Sequence, residues 1–308
     1  MSPADRGVND VTSAGPAGLA PMAPVFLVDL FPDLHTQLMT LLRSLRPADW
    51  GRPTACALWS VKDIAAHLLD GSLRRLSFGR DGLSAQPDAP ISTYSDLVGY
   101  LNRLNAEWTA ATRRLSPRVL IELLDFNSGP VHAFFRSLDP HAAALFGVAW
   151  AGEEGSENWF DIGREYTERW LHQQQIREAV GAEGLTGRRW LHPTLDIFVR
   201  ALPFAYRTVK APRGQSVRIA IDGEAGGVWT LVRGQESWRL FAGWEADPAA
   251  TVGLDQGTAW KLFSKSLDRE SARRSIRIQG DRRLGEPVLG TCGDGMTKSR
   301  CGSHLAQL

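Results

Sequence analysis

Glu168 and His172 stand four residues apart in a stretch whose apolar spacing reads as helix, so their side chains project from one face, a turn from each other. Glu165 and Gln175 extend the same stripe by three residues on either side. A polar stripe along a bundle-forming helix is costly unless something satisfies it. A third candidate, His67, sits among apolar neighbours with Asp63 one turn earlier. Helical bundles build metal sites from side chains on facing helices. One imidazole from one helix and a Glu-x-x-x-His pair from another supply three N/O ligands. With an open fourth position, that is the arrangement of a catalytic zinc. An anionic Glu168 ligand would moderate the Lewis acidity of such a centre. A Glu-x-x-x-His pair is also common on solvated helix faces, and a single His is often a hydrogen-bonded core residue. Spacing alone leaves both readings open.

The elements that must position these residues are helical through the first half. Leu34, Leu38, Leu41, Leu42 and Leu45 mark one face of a first helix that stops at Arg46-Pro47. Ser60 caps a second helix, with Asp63 in the capping-box position. Val61, Ile64, Ala65, Leu68, Leu69 and Leu73 form its apolar face. The third helix is expected from about Ser95 to Leu115, and shorter helical pieces from Pro117 to Val148. A fourth long helix runs from about Phe160 to Val180 and ends at Gly181. Four long helices predict a four-helix bundle.

After Gly187 the pattern changes. Leu195 to Val209 reads as a helix kinked or split by Pro203. Short alternating runs at 216–221, 227–232, 237–240 and 251–254 read as strands separated by glycine turns. A helix is expected at 259–266, a strand at 275–279 and a closing helix at 284–289. Strands grouped together argue for an α+β unit, and no dinucleotide or P-loop glycine pattern is present. The expected organisation is a disordered leader over 1–24, a helical bundle over 25–186, an α+β domain over 187–290 and a flexible tail over 291–308. Cys292, Cys301 and His304 of that tail match no standard zinc spacing.

Composition narrows the function. The chain has 308 residues, about two domains' worth. Lys+Arg 35 against Asp+Glu 34 gives no support to a nucleic-acid or anionic-membrane surface. No apolar run reaches the ~18–20 residues of a membrane span. Three Cys in this length fit a reducing cytoplasm, and Cys56, before the second helix, is read as an inert small residue. Among 11 Trp, Trp50, Trp59 and Trp170 lie beside the candidate ligands. They could wall a pocket, but burial explains most of them.

The run Trp59-Ser60-Val61-Lys62-Asp63-Ile64-Ala65-Ala66-His67-Leu68, with Trp50 and Pro53-Thr54 before it, resembles the first metal-ligand motif of the mycothiol-dependent maleylpyruvate isomerase family, a branch of the DinB-like bundles. Glu168-Arg169-Trp170-Leu171-His172-Gln173-Gln174-Gln175-Ile176-Arg177 resembles its second motif. Ile278-Gln279-Gly280-Asp281 is similar to part of the sterol-carrier-like domain that members carry. The resemblance spans about residues 30 to 290. It implies a DinB-like four-helix bundle followed by a smaller sterol-carrier-like α+β domain, with His67, Glu168 and His172 as ligands of a divalent metal, zinc by expectation. It also implies a low-molecular-weight thiol such as mycothiol as cofactor and a small electrophile as substrate. The chemistry would be cis–trans isomerisation by reversible thiol addition, or S-transfer. Two departures stand out. Gln175 occupies a position where the family often has Asp, replacing a charge with a neutral amide that can still orient a ligand. The family's catalytic arginine has no clear counterpart, with Arg282 and Arg283 as candidates by rough position. The alternative function is a non-enzymatic metal- and ligand-binding protein with a structural or sensory metal. The sequence does not indicate an oligomeric state.

Overall fold

The computed structural model describes residues 18–84, 87 and 90–291. Its first half is built on helices α1 (Phe31–Ser44), α2 (Val61–Arg74), α3 (Tyr94–Thr112), α4 (Pro117–Ser137) and α5 (Asn158–Val180). α1 packs on α4 and α5, and α2 packs on α4 and α5, which closes a four-helix ring; α3 lies outside against α2. Lys62 Nζ donates to the Arg113 carbonyl and Trp108 Nε1 to the Ala66 carbonyl. Those two contacts set α2 and α3 antiparallel.

The local signals in α2 act as expected. Ser60 accepts from the Asp63 backbone N–H, and the Asp63 carboxylate accepts from the Ser60 N–H in return. Two of the end groups that a helix leaves unpaired are thereby satisfied. α2 runs directly into a π-helical turn, Arg75–Arg80. α5 ends at Gly181, whose φ of 70° closes the helix in the left-handed conformation.

One expectation for this half fails. The shorter pieces expected over 117–148 are a single 21-residue helix, α4, with Pro130 inside it. Proline removes one backbone donor and bends the helix. Here Leu120, Leu124, Val131 and Phe135 bury one continuous face across the bend, and that burial keeps the helix whole.

The second half comprises α6 (Arg188–Val199), α7 (Leu202–Ala205), α8 (Gln256–Phe263), α9 (Arg269–Ser275), α10 (Arg282–Gly285) and a six-stranded sheet. Its strands are β1 (Ala20–Pro21), β2 (Ser216–Asp222), β3 (Gly227–Arg233), β4 (Trp238–Ala242), β5 (Ala250–Asp255) and β6 (Arg277–Gly280). β2, β3 and β4 form an antiparallel meander; β5 returns parallel beside β2, with β6 antiparallel on its far side. The structure is thus a helical first half followed by a helix-and-sheet second half, as the sequence implied. Two details differ. The helix expected from Leu195 begins at Arg188 and breaks before Leu202. The leader expected over 1–24 is described only from Gly18, and there Leu19 is buried and Ala20–Pro21 adds β1 to the sheet edge by pairing with β4. The tail beyond Thr291, with Cys292, Cys301 and His304, lies outside the described residues.

The halves share one apolar core, which runs from Phe31 and Leu34 through Trp170 and Leu171 to Leu231, Val252 and Trp260. α6 packs on α5 closely enough that a Cβ at Gly163 would come within 2.5 Å of Ile197. Trp170 donates to the Leu185 carbonyl and meets Trp260 edge-on at 5.4 Å. The outer face of α5 is therefore covered by the second half, and nearly the whole helix is buried, polar residues included. No described helix is long and apolar enough to cross a membrane.

Candidate metal centre

His67 from α2 and Glu168 and His172 from α5 come together, each offering one ligand atom within 4.8 Å of the others. They are the only such group of three among the described residues. His67 is 3% exposed, Glu168 5% and His172 0%. The centre is built by one i,i+4 pair on α5 and one residue directly across the α2–α5 seam, so helix periodicity and antiparallel packing suffice to assemble it.

The hydrogen-bond account is the telling observation. His67 Nδ1, both Glu168 carboxylate oxygens and His172 Nε2 are buried with no hydrogen-bond partner. Leaving a buried donor or acceptor unpaired costs about 1–3 kcal/mol, more for a charged group. His172 Nε2 lies 3.3 Å from Glu168 Oε2, and His67 Nε2 lies 3.9 Å from it. Neither contact is aligned as a hydrogen bond. Ligand-type atoms that converge without completing a hydrogen bond suit a cation, so the donor set fits a divalent metal with N/O preference.

The electrostatics point the same way. Burial pushes His67 down to about 4, against the pull of Glu168. The neutral imidazole, the form that ligates, is thus favoured. Burial alone would raise Glu168, but the two imidazoles facing it hold its carboxyl below the usual range.

Gln175, the neutral residue at the family's Asp position, is 1% exposed, and its Oε1 lies 2.9 Å from His172 Nδ1. Cys56 Sγ lies 3.2 Å from the same oxygen. Cys56 is 1% exposed. Of the three tryptophans, only Trp59 lines the centre: its ring lies 4.8 Å from that of His67 and 6.0 Å from that of His172. Trp50 and Trp170 are buried in the two main cores. Asp63 serves the Ser60 cap, which accounts for it without a role toward His67.

Glu165, on the same stripe, is not brought to the centre. It pairs with Arg75 at 3.1 Å and Arg164 at 3.3 Å. Arg75 grips Asp161 through two hydrogen bonds of 2.7 and 2.8 Å, and Arg164 reaches Asp161 at 2.6 Å. This buried ion network sits further along the same seam, and sequence reasoning missed it. Its only signal was the run of charges at 161, 164 and 165 on the face that carries Glu168. Arg282 and Arg283 are exposed, paired with Glu286 and Asp281 on their own surface. They take no part in the buried centre.

Residues 31–177 match the family model of the mycothiol maleylpyruvate isomerase N-terminal domain. No curated protein matches. Among solved structures, the mycothiol-dependent maleylpyruvate isomerase aligns at a TM-score of 0.51 and 11% identity, covering 82% of this chain and 91% of that one. A histidine-to-alanine mutant of that enzyme aligns at 0.50 with the same identity and coverage. At such identity the likeness speaks for the fold alone. The family match and the fold agree with the two motifs: residues 31–177 are similar to the mycothiol maleylpyruvate isomerase N-terminal domain.

Proposed function

We propose that this chain, whose residues 31–177 are similar to the mycothiol maleylpyruvate isomerase N-terminal domain, is a metal-dependent enzyme. It uses a low-molecular-weight thiol of the mycothiol type as isomerase or S-transferase on a small electrophile. The convergence of His67, Glu168 and His172, with both Glu168 oxygens and His172 Nε2 buried without partners, carries this reading. His67, Glu168 and His172 would hold the metal, with zinc the expected ion. When bound, the metal would supply a vertex at which a thiol loses its proton near neutral pH.

The chain's own residues account for the remaining features. Glu168 gives the ligand set its single negative charge, so a divalent ion there would keep one net positive charge and an anionic fourth ligand would be electrostatically favoured over a third neutral one. No fourth protein ligand joins the group among the described residues. That favours an exchangeable position over a closed structural site. Trp59 shields the two imidazoles with its ring and so keeps water from the low-dielectric centre. The ion network below the centre ties the turn that follows α2 to α5. We place the bundle's chemistry in residues 25–186 and assign residues 187–290, the sterol-carrier-like part, a supporting role through α6 and α8. The compartment is the cytoplasm, where a small thiol is kept reduced.

Metal analysis of the purified chain and of His172→Ala, followed by a panel of small thiols with an electrophilic alkene, tests this reading. The expected result is a single divalent ion per chain, lost in the variant, with thiol-dependent turnover lost alongside it. Substoichiometric metal in the wild type after metal-replete growth overturns the proposal. A stoichiometric metal with no thermal shift or turnover with any thiol would make the ion structural.

A further inference from the structure

The two imidazoles of the centre are not held alike. His172 Nδ1 is 2.9 Å from Gln175 Oε1, while His67 Nδ1 is buried with no partner at all. An amide oxygen only accepts, so this contact requires His172 to carry its proton on Nδ1. Its Nε2 is then left with a lone pair, and that is the atom standing unpartnered 3.3 Å from Glu168. Gln175 is itself immobile: it is 1% exposed, one turn beyond His172 on the same rigid helix, and its oxygen is also packed by Cys56 Sγ at 3.2 Å.

We propose that Gln175 is a positioning residue that locks His172 in its metal-binding tautomer, so that α5 alone presents a preformed half-site and His67 on α2 is the closing ligand. The inference rests on the metal reading above but concerns an asymmetry that reading does not contain. On α5, ligand identity, tautomer and spacing are all fixed within one helix by Glu168, His172 and Gln175. On α2, nothing fixes which nitrogen of His67 is protonated, so its lone pair is set only when the site fills. A partner that fixes the ring of a ligating histidine typically changes metal affinity 10–100-fold. The choice of an amide matters too. Gln175 orients the ring as a carboxylate would, without adding a second negative charge beside Glu168.

Two measurements decide it. The first is the ring-nitrogen NMR spectrum of the metal-free full chain, with His172 assigned from His172→Ala. The Nδ1–H tautomer is expected in the wild type and in Gln175→Glu, with a tautomer mixture in Gln175→Leu. A wild-type His172 protonated on Nε2 overturns the proposal. This arm needs no metal, so it stands even if the metal reading fails. The second is zinc affinity by chelator competition. Gln175→Leu is expected to bind about 10–100-fold more weakly with an unchanged circular-dichroism spectrum. Gln175→Glu should bind as tightly as wild type or more so. His67→Ala should keep more residual affinity than His172→Ala. Gln175→Leu binding within twofold of wild type, or a larger loss in His67→Ala than in His172→Ala, overturns it.

Discussion

The α2–α5 seam carries two buried polar clusters, and they are opposite in kind. In the first, His67, Glu168 and His172 bring lone pairs together and leave four atoms unpartnered. In the second, Arg75, Asp161, Arg164 and Glu165 alternate in sign, and none of them has a buried side-chain atom left without a partner. Both are enclosed by the same helices, so burial does not distinguish them. Satisfaction does. A cluster that completes its own hydrogen bonds holds structure together. A cluster of acceptors that cannot complete one another calls for a ligand from outside.

The sharpest way to break this comparison is Arg75→Met. It removes one of the two cations that Asp161 and Glu165 share, Arg164 being the other, and leaves one negative charge of the network uncompensated in the interior. We expect a loss of roughly 3–5 kcal/mol in chemical denaturation, with metal affinity of the folded fraction within a few fold of wild type. An unchanged stability with a lost metal would invert the roles assigned to the two clusters.

The next effect is a pH dependence that His67 contributes in the first cluster, opposed over the same range by Asp161 of the second, which burial raises to about 6. The folded-state pKa of His67 is about 4, against 6.5 for the unfolded chain. Between those values the unfolded chain binds the proton that the folded one refuses, so the contribution of His67 to metal-free stability falls as pH drops from about 6.5 toward 4. A shift of that size amounts to about 3 kcal/mol across the window. His67→Gln should remove this fall and leave the opposite trend of Asp161, so that the variant's metal-free profile diverges from wild type between about pH 6.5 and 4. A variant profile parallel to that of wild type would show that His67 makes no such contribution.

The smallest effect concerns neither cluster directly. Ser60→Ala removes the side-chain cap of α2 and should cost about 1 kcal/mol, read from the thermal midpoint. Metal stoichiometry should stay intact, because His67 lies two turns inside the helix. Loss of metal in this variant would mean that the centre depends on the helix end more than the geometry allows.

Much of the centre could be read from the chain alone. The Glu168–His172 spacing, the apolar face that carries His67 and the Ser60–Asp63 cap are local patterns, and local patterns survive into the structure because a helix fixes its own side-chain directions. The long reach of α4 could not be read. Pro130 argues locally for a break, and only the face that spans it argues otherwise. The ion network was equally hidden. Asp161, Arg164 and Glu165 look like a solvated face until α2 and the turn after it pack against that side of α5, and Arg75 is 86 residues from its partner Asp161. The parallel pairing of β2 with β5 joins strands separated by two others, which strand periodicity does not encode.

The sequence by itself determined which side chains lie on one helix face, where α2 starts and α5 ends, and which residue types could bind a metal. All of these depend on the regular geometry of a single element. Tertiary structure decided which stripe met which across the seam. It set His67 opposite Glu168 and His172, sent Glu165 to Arg75 instead, and placed Gln175 against His172 while leaving His67 without such a partner. Those outcomes depend on how helices distant in sequence pack, and on which polar groups are left unsatisfied once water has been excluded.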